Sequence, residues 1–389
     1  MPSYHPILKW RERELSALGR LTTSDRENIR PIFELPPAPW DFDAGRPLDA
    51  QLSRYRNFGA RLAEAWGNRR CAIDAPHESG TGSGLPSVVL DTVFYQARIN
   101  GCIASPVVGV DRSDAYLRAA GRIARIDGHG LSIRIRQSQF DATLDARLRE
   151  TLVNVGADPT QCDILVDFEA NSMHSSTSFA ESACEAIFQL PFIEAWRSLV
   201  LCSTAMPAAL PFDMYWPVGP ITRHDWTGYL LAANLLKQQG LDLQFADYGV
   251  QHPNSEMVDP RLIGRDLALV YATNDIWQVY ASPSADSSAI REIALQWRSD
   301  VFRRSRQSPA RELDCWADAQ IALSCDVEIT AQELALWPQI STNRHLSVVS
   351  RQAKAAAMGA FCQLSGARAA SSLSNFNGLR SLATATREY

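Results

Sequence analysis

Short apolar runs, each closing on a polar or charged side chain, recur along the first two thirds of the chain. They are Pro6–Trp10 with Lys9, Arg30–Leu35 with Glu34, Arg70–Ala75 with Asp74, and Ser105–Val110 followed by Asp111. Leu131–Arg136, Asp163–Phe168 followed by Glu169, Ser198–Ser203 and Leu243–Tyr248 complete the series. Each is too short for a helix and most are rich in Val, Ile, Leu or Phe on both faces, which is the pattern of a strand buried in a parallel sheet. Between them lie segments of helical period: Arg11–Arg20, Asp49–Trp66, Leu85–Asn100, Asp114–Arg125, Asp141–Val155, Phe179–Leu190 and Asp225–Gln239. Several start after Ser, Thr or Asp, whose side chains accept the free amides of a first turn. Glycine follows two of them, at Gly101 and Gly240, where a left-handed cap costs little. Strand and helix alternating eight times predict a TIM-like (β/α)8 barrel; a doubly wound open sheet is the rival, and the count favours closure.

Beyond residue 263 the alternation stops. Two β-prone runs within Asp266–Ser282, split by Asn274-Asp275, predict a hairpin, and 286–304, 310–323 and 342–363 read as helices. The chain therefore divides into a barrel over 1–263, a hairpin plus α-rich appendage over 264–363, and a loose or weakly helical tail over 364–389.

Composition narrows the function only slightly. Hydrophobic residues at 46% and charged residues at 21% are ordinary for a globular chain. A formal net charge of −5 weighs against a protein that mainly wraps nucleic acid, while leaving room for a local basic groove. No leader-like segment and no long uninterrupted apolar run stand out, so neither secretion nor a membrane span is expected. The eight cysteines are scattered without a CxxC pair, and several fall in apolar runs; buried reduced thiols and a cytoplasmic location fit. The glycine-rich Gly80–Gly84 lacks the lysine of a phosphate loop and reads as a lid.

In a barrel the strand ends meet at one mouth, so the polar closers converge there. That rule gathers Lys9, Glu34, Asp74, Asp111, Arg136, Asp167, Glu169, Ser203, Asp247 and Tyr248. Such a set suits acid–base work, phosphate handling or a divalent metal. Asp167 and Glu169, two apart on one strand face, would suit Mg²⁺, although no metal-ligand motif dictates a site. Lys9 and Glu34 could equally form a structural ion pair, and Asp74 and Asp111 could cap the helices after them. Arg134 and Arg136 share a face, as a phosphate clamp or as the lining of an ion-paired lumen. His252, in the polar run after the last strand, is the candidate for proton transfer because an imidazole titrates near neutrality. Ser341 or Thr342 would cap a helix whose first turn carries Asn343 and His345, a place that favours an anion.

Several strings resemble the beta family proteins, a group named after a bacteriophage beta protein. They are Tyr4-His-Pro-Ile-Leu-Lys9-Trp-Arg-Glu-Arg-Glu14, Arg30-Pro-Ile-Phe-Glu34-Leu-Pro-Pro, Pro39-Trp-Asp-Phe and Gly109-Val-Asp111-Arg. Glu194-Ala-Trp-Arg-Ser-Leu, Phe245-Ala-Asp247-Tyr248-Gly-Val-Gln-His252-Pro and Thr342-Asn343-Arg-His345-Leu follow in the same order. Asn343-Arg-His stands where many relatives carry Asn-His-His, so a paired-histidine ligand set is not complete here. The resemblance implies a bacterial or phage setting, often mobile or defence-associated, and brings no catalytic set with it.

The reading that follows is a barrel whose mouth takes a small phosphate-bearing or nucleotide-like ligand, with a hydrolase-type activity in antiviral defence if it is an enzyme. Asp247, His252, Glu34 and Asp111 are the candidate catalytic residues; Lys9, Arg136, Tyr248, Asn343 and His345 are the candidate ligand-binding residues. The rival reading is a module that binds a phage protein or nucleic acid without turnover, or a structural subunit of a defence complex.

Overall fold

The computed structural model describes residues 3–37, 40–41, 43, 46–47, 55–79, 86–170, 175–208, 210, 220–254, 267–282, 287–305, 315–326 and 336–359. The predicted glycine-rich lid, the 263/264 boundary and the 364–389 tail lie outside these residues. In chain order the strands are β1 (Ile7–Lys9), β2 (Ile32–Glu34), β3 (Trp40–Asp41), β4 (Arg46–Pro47), β5 (Arg70–Asp74), β6 (Ile103–Val108) and β7 (Leu131–Arg136). They continue with β8 (Cys162–Ala170), β9 (Ser198–Thr204), β10 (Ile221–Thr222), β11 (Leu243–Ala246), β12 (Leu267–Ala272) and β13 (Ile276–Ser282). The helices are α1 (Glu12–Gly19), α2 (Thr23–Glu27), α3 (Phe58–Ala65), α4 (Pro86–Ile99), α5 (Asp114–Asp127) and α6 (Leu144–Val155). After them come α7 (Ser176–Phe188), α8 (His224–Lys237), α9 (Ser287–Ser305), α10 (Trp316–Asp326) and α11 (Trp337–Ala357).

Eight strands, β1-β2-β5-β6-β7-β8-β9-β11, form one sheet, and every ladder in it is parallel. The sheet curls until its two edges meet. His5 and Ile7 donate backbone bonds to the carbonyls of Phe245 and Asp247, at 2.8 and 2.7 Å, and Phe245 returns one to Ser3 at 3.1 Å. The result is the (β/α)8 barrel that the alternation predicts, and every strand of it falls on a predicted run.

Alternation along each strand sorts the side chains into two cores. Leu8, Phe33, Ile73, Ile133, Ile164, Val166, Leu201 and Phe245 pack outward in the main core with the helices. The opposite parity, Ile7, Ile32, Ala72, Val107, Leu165, Val200, Cys202, Ala246 and Tyr248, fills the lumen as a separate apolar layer. Polar layers sit at both ends of that plug. At the strand starts Arg30 pairs with Asp163 and donates to Ser105 at 3.0 Å. At the strand ends lies the site described below. Helices come close where glycine allows it: a Cβ on Gly121 of α5 would sit 2.1 Å from the Val155 carbonyl of α6.

Past the barrel, β12 and β13 form the predicted hairpin and β10 adds a third antiparallel strand, which the sequence did not reveal. A second apolar cluster, with Tyr271, Tyr280, Trp297, Ile321 and Trp337, joins this hairpin to α9, α10 and α11. α11 differs from expectation. It begins at Trp337 rather than after Ser341 or Thr342, because Pro338 lies within the first turn, where its missing amide hydrogen has no helical partner to lose. Ser341 and Thr342 are therefore interior residues: Ser341 accepts from the Val270 amide, and Thr342 donates to its own helix at Pro338.

Candidate functional site

The strand ends carry a continuous network of alternating charge. Register brings Lys9 level with Glu34 and Glu34 level with Asp74. Lys9 pairs with one Glu34 oxygen. Arg134 rises through the centre, giving Nη1 to Glu34 at 2.9 Å and to Asp74 at 2.8 Å, Nε to Asp167 at 2.7 Å, and Nη2 to the Tyr248 hydroxyl at 2.7 Å. Tyr248 in turn donates to Asp167 at 2.6 Å. Arg112, on the turn after β6, holds the other Asp74 oxygen at 2.9 Å and lies 3.8 Å from Asp111. Asp111 reaches Arg136 at 3.1 Å, and Arg136 reaches Glu169 at 3.3 Å. The Glu169 amide closes the path by donating to Asp167 at 2.8 Å.

The network has a sealed part and an open rim. Arg112, Arg134, Glu34, Asp74, Asp167 and Tyr248 are buried. Exposure rises at Asp111 (41%), Glu169 (35%) and Arg136 (26%), so this edge is the part of the network that solvent reaches. Burial raises the Glu34 carboxyl, but Arg134 and Lys9 outweigh that and hold it at about 2. Glu169 shows the opposite balance: burial and the Asp167 charge raise its pKa, with Arg136 opposing. Its backbone is left-handed (φ 53°), at an irregularity in the β8–β9 ladder between Asp167 and Ala170. A side chain without a glycine's freedom held there costs about 1–3 kcal/mol, and bulges of this kind re-aim side chains.

Asp247 and His345 meet, but not at the mouth. One position before the lumen-facing Tyr248, Asp247 turns the other way, into the seam between the barrel and α11. Its oxygens accept from the Tyr4 hydroxyl at 2.7 Å and the Gly249 amide at 3.0 Å, and His345 Nε2 lies 2.7 Å away. The Trp277 indole, which can only donate, gives its hydrogen to His345 Nδ1 at 3.1 Å. His345 is thus neutral with its proton on Nε2, directed at Asp247. Burial lowers its pKa further than Asp247 raises it.

Asn343 is buried as well, accepting from the Ala317 amide at 3.2 Å and donating to the Ala17 carbonyl at 2.9 Å. It ties α11 to α10 and α1. Neither Asn343 nor His345 lies in the first turn of α11, so the anion site that sequence expects at that helix start has no counterpart. His252 sits in the loop after β11, its Nδ1 accepting from the Asn254 amide at 3.2 Å. Among the described residues no hydrogen bond or ion pair joins it to another candidate. The structure therefore assembles Lys9, Glu34, Asp111, Arg136 and Tyr248, pairs Asp247 with His345 elsewhere, and leaves Asn343 and His252 apart.

Asp167, one of the carboxylates that would suit Mg²⁺, has both oxygens engaged, by Arg134 and Tyr248 on one and the Glu169 amide on the other. Among the described residues no three His, Cys, Asp or Glu side chains converge as metal ligands. Three mouth residues have no place in the sequence-based candidate set: Arg112, Arg11 and His77. Each lies in a turn just past a strand end, where the convergence rule applies but the apolar runs have already stopped. Arg134 was visible as sharing a face with Arg136, without any sign that it would be the hub.

Fold and site define a class: a parallel β/α barrel whose strand ends carry a charge-alternating network over an apolar lumen. The profile of the Beta protein family matches residues 4–351, and the chain belongs to that family. No curated protein matches it significantly. Among solved structures it is similar to active domain 2 of the thermostable chitinase from Pyrococcus furiosus, with 12% identity, a TM-score of 0.38, and coverage of 64% of this chain and 83% of that one. It is similar also to 2,3-dimethylmalate lyase, a PEP mutase/isocitrate lyase superfamily member (14%, TM-score 0.35, 64% and 77%). Oxaloacetate acetylhydrolase is a third likeness (18%, TM-score 0.33, 64% and 75%). At these values none of the three bears on the chemistry.

Proposed function

We propose that the open rim of the mouth binds a small phosphate-bearing or nucleotide-like anion and acts on it as a hydrolase. Arg136 holds the anion, exchanging one of its two carboxylate partners for it, and Glu169 gives or takes a proton beside it. Lys9, Glu34 and Tyr248 keep Arg134 and the lumen floor in place, and Asp111 sets the direction of Arg136. Under this reading Asp247 and His345 secure the barrel against α11 rather than react. The observation that carries it is Glu169: a carboxyl of raised pKa, on strained backbone, aimed at the accessible guanidinium at the strand ends. Strain and perturbed pKa values gather at functional sites.

The free, buried cysteines of the described residues fit a cytoplasmic location, and on this reading the protein acts in conflict between phage and host. No described helix is long and apolar enough to cross a membrane. A second reading, a module that binds a phage protein or a nucleic-acid end without turnover, draws on the sealed part of the network, where Glu34, Asp74 and Asp167 are already paired with cations.

The test is a thermal-shift screen with nucleotides, sugar phosphates and short single-stranded oligonucleotides, on the parent and on Arg136→Ala and Glu169→Gln. A ligand at 100 times its Kd adds about 2.7 kcal/mol to the folded state, a rise of several degrees. A small phosphate that gives this rise, loses it in Arg136→Ala and is consumed only when Glu169 is present supports the hydrolase. A shift with oligonucleotides alone, and no product, supports the binding module.

A further inference from the structure

The geometry points to a second subsite on the opposite side of the mouth: Lys9 and Arg11 from the end of β1 and His77 from the end of β5, the strands on either side of β2, hold a phosphate monoester group of the ligand. The inference rests on the mouth being the ligand site and adds to it which ligand. β1 and β7 stand four places apart in the eight-strand order β1-β2-β5-β6-β7-β8-β9-β11, so the residues following β1 face Arg136 across the barrel.

Arg11 follows β1 in extended backbone (φ −132°, ψ 153°), directly before α1. Its guanidinium has no hydrogen bond or ion pair among the described residues. It is half-buried, within electrostatic reach of Arg13, Glu14 and Glu34, and burial lowers its pKa. His77 lies in the single turn Pro76–Ser79 after β5. Its ring is half-exposed and has no hydrogen-bond partner among the described residues. The charged groups around it come from four neighbouring strands or the turns after them: Lys9 from β1, Glu34 from β2, Asp74 from β5 and Arg112 after β6. Burial lowers its pKa as well, so the imidazole is neutral at pH 7, with one nitrogen to donate and one to accept.

Register sets Lys9, Glu34 and Asp74 level on adjacent strands, with Arg11 two residues past the first and His77 three past the last, so both sit beyond the strand ends that flank Glu34, and Lys9 is bonded to that carboxylate. Glu34 is itself neutralised by Lys9 and Arg134, so it does not repel an incoming anion as a bare carboxylate would. The start of α1 is not the attraction, since Glu12 and Glu14 occupy its first turn. What remains is a guanidinium, an ammonium and an imidazole with free donor capacity. Three donor groups match the three terminal oxygens of a phosphate monoester better than the two oxygens of a carboxylate.

The experiment is an NMR titration of the His77 ring in the full chain, its signal assigned by its loss in His77→Gln. Inorganic phosphate is the probe, with acetate at the same ionic strength beside it. Phosphate is expected to raise the His77 titration midpoint by about half a pH unit or more, because an adjacent anion favours imidazolium. Arg11→Gln should abolish the rise and Arg136→Ala should leave it. A midpoint that ignores phosphate, an equal response to acetate, or a rise that survives in Arg11→Gln overturns the subsite. The thermal shifts that depend on Arg136 would stand in that case, so this failure is separable from failure of the wider reading.

Discussion

Asp225, at the start of α8, is fully buried, and neither carboxylate oxygen has a hydrogen-bond partner among the described residues. Arg223 lies near enough to be felt, but two of its own nitrogens, Nε and Nη2, are equally unpartnered. Burial raises the Asp225 carboxyl to about 7, against Arg223 and with help from Asp247. An unfolded aspartate titrates near 3.9, so between about pH 4 and pH 7 the folded chain holds a proton that the unfolded chain has released. Stability from this group therefore falls as pH rises through that window and levels off above it. Asp225→Asn keeps the shape and removes the charge. It should be more stable than the parent by about 4 kcal/mol at pH 8 and nearly equal to it at pH 4, as read from urea unfolding at both values. A parent and variant that differ equally at both pH values would show that Asp225 is ionised in the fold.

The elements were legible where burial alone sets the pattern. Runs such as Leu131–Arg136 and Asp163–Phe168 set Leu131, Ile133 and Ile135, and Ile164, Val166 and Phe168, on the face that meets the helices, and so regular an apolar face leaves little else for them to be. Turns and seams were less legible. The seven residues from Asn343 to Val349 mix polar and apolar character without marking which polar groups are buried; Asn343 and His345 are interior because partners on α1, α10 and β13 and just past β11 receive them. No local pattern carries that. The same holds for the site: the convergence of strand ends gathered Lys9, Glu34 and Arg136, while the hub role of Arg134 depends on how far its side chain reaches across the lumen. Between helices, contact distance leaves a testable mark. Gly121→Ala would place a methyl against the Val155 backbone, with no flexible side chain to give way. It should cost about 1–3 kcal/mol, with α5 and α6 losing hydrogen-exchange protection first.

At the scale of the molecule, Arg134 connects strands that are distant around the barrel. It binds Glu34 of β2, Asp74 of β5 and Asp167 of β8, with Tyr248 just past β11. Arg134→Met would leave three buried carboxylates with less charge to balance them. Breaking such a network from one side costs about 3–5 kcal/mol, whereas Arg122→Met, at an exposed pair with Asp91, should stay within about 0.5 kcal/mol. Equal losses in the two variants, measured by denaturant unfolding, would mean that the lumen network is no firmer than a surface pair.

The barrel's closing seam also sets an order of events during synthesis. β1 pairs with β2 early, but its other edge waits for the carbonyls of Phe245 and Asp247, and α1 waits for Asn343 of α11. At ribosomal speeds of about 5–20 residues per second, the interval between β1 and β11 lasts from about ten seconds to most of a minute. Throughout that time the nascent chain presents an open, apolar strand edge, which is the kind of surface that chaperones and neighbouring nascent chains both bind. Yield in cells should therefore depend on how that waiting edge is shielded at least as much as on the stability of the finished barrel.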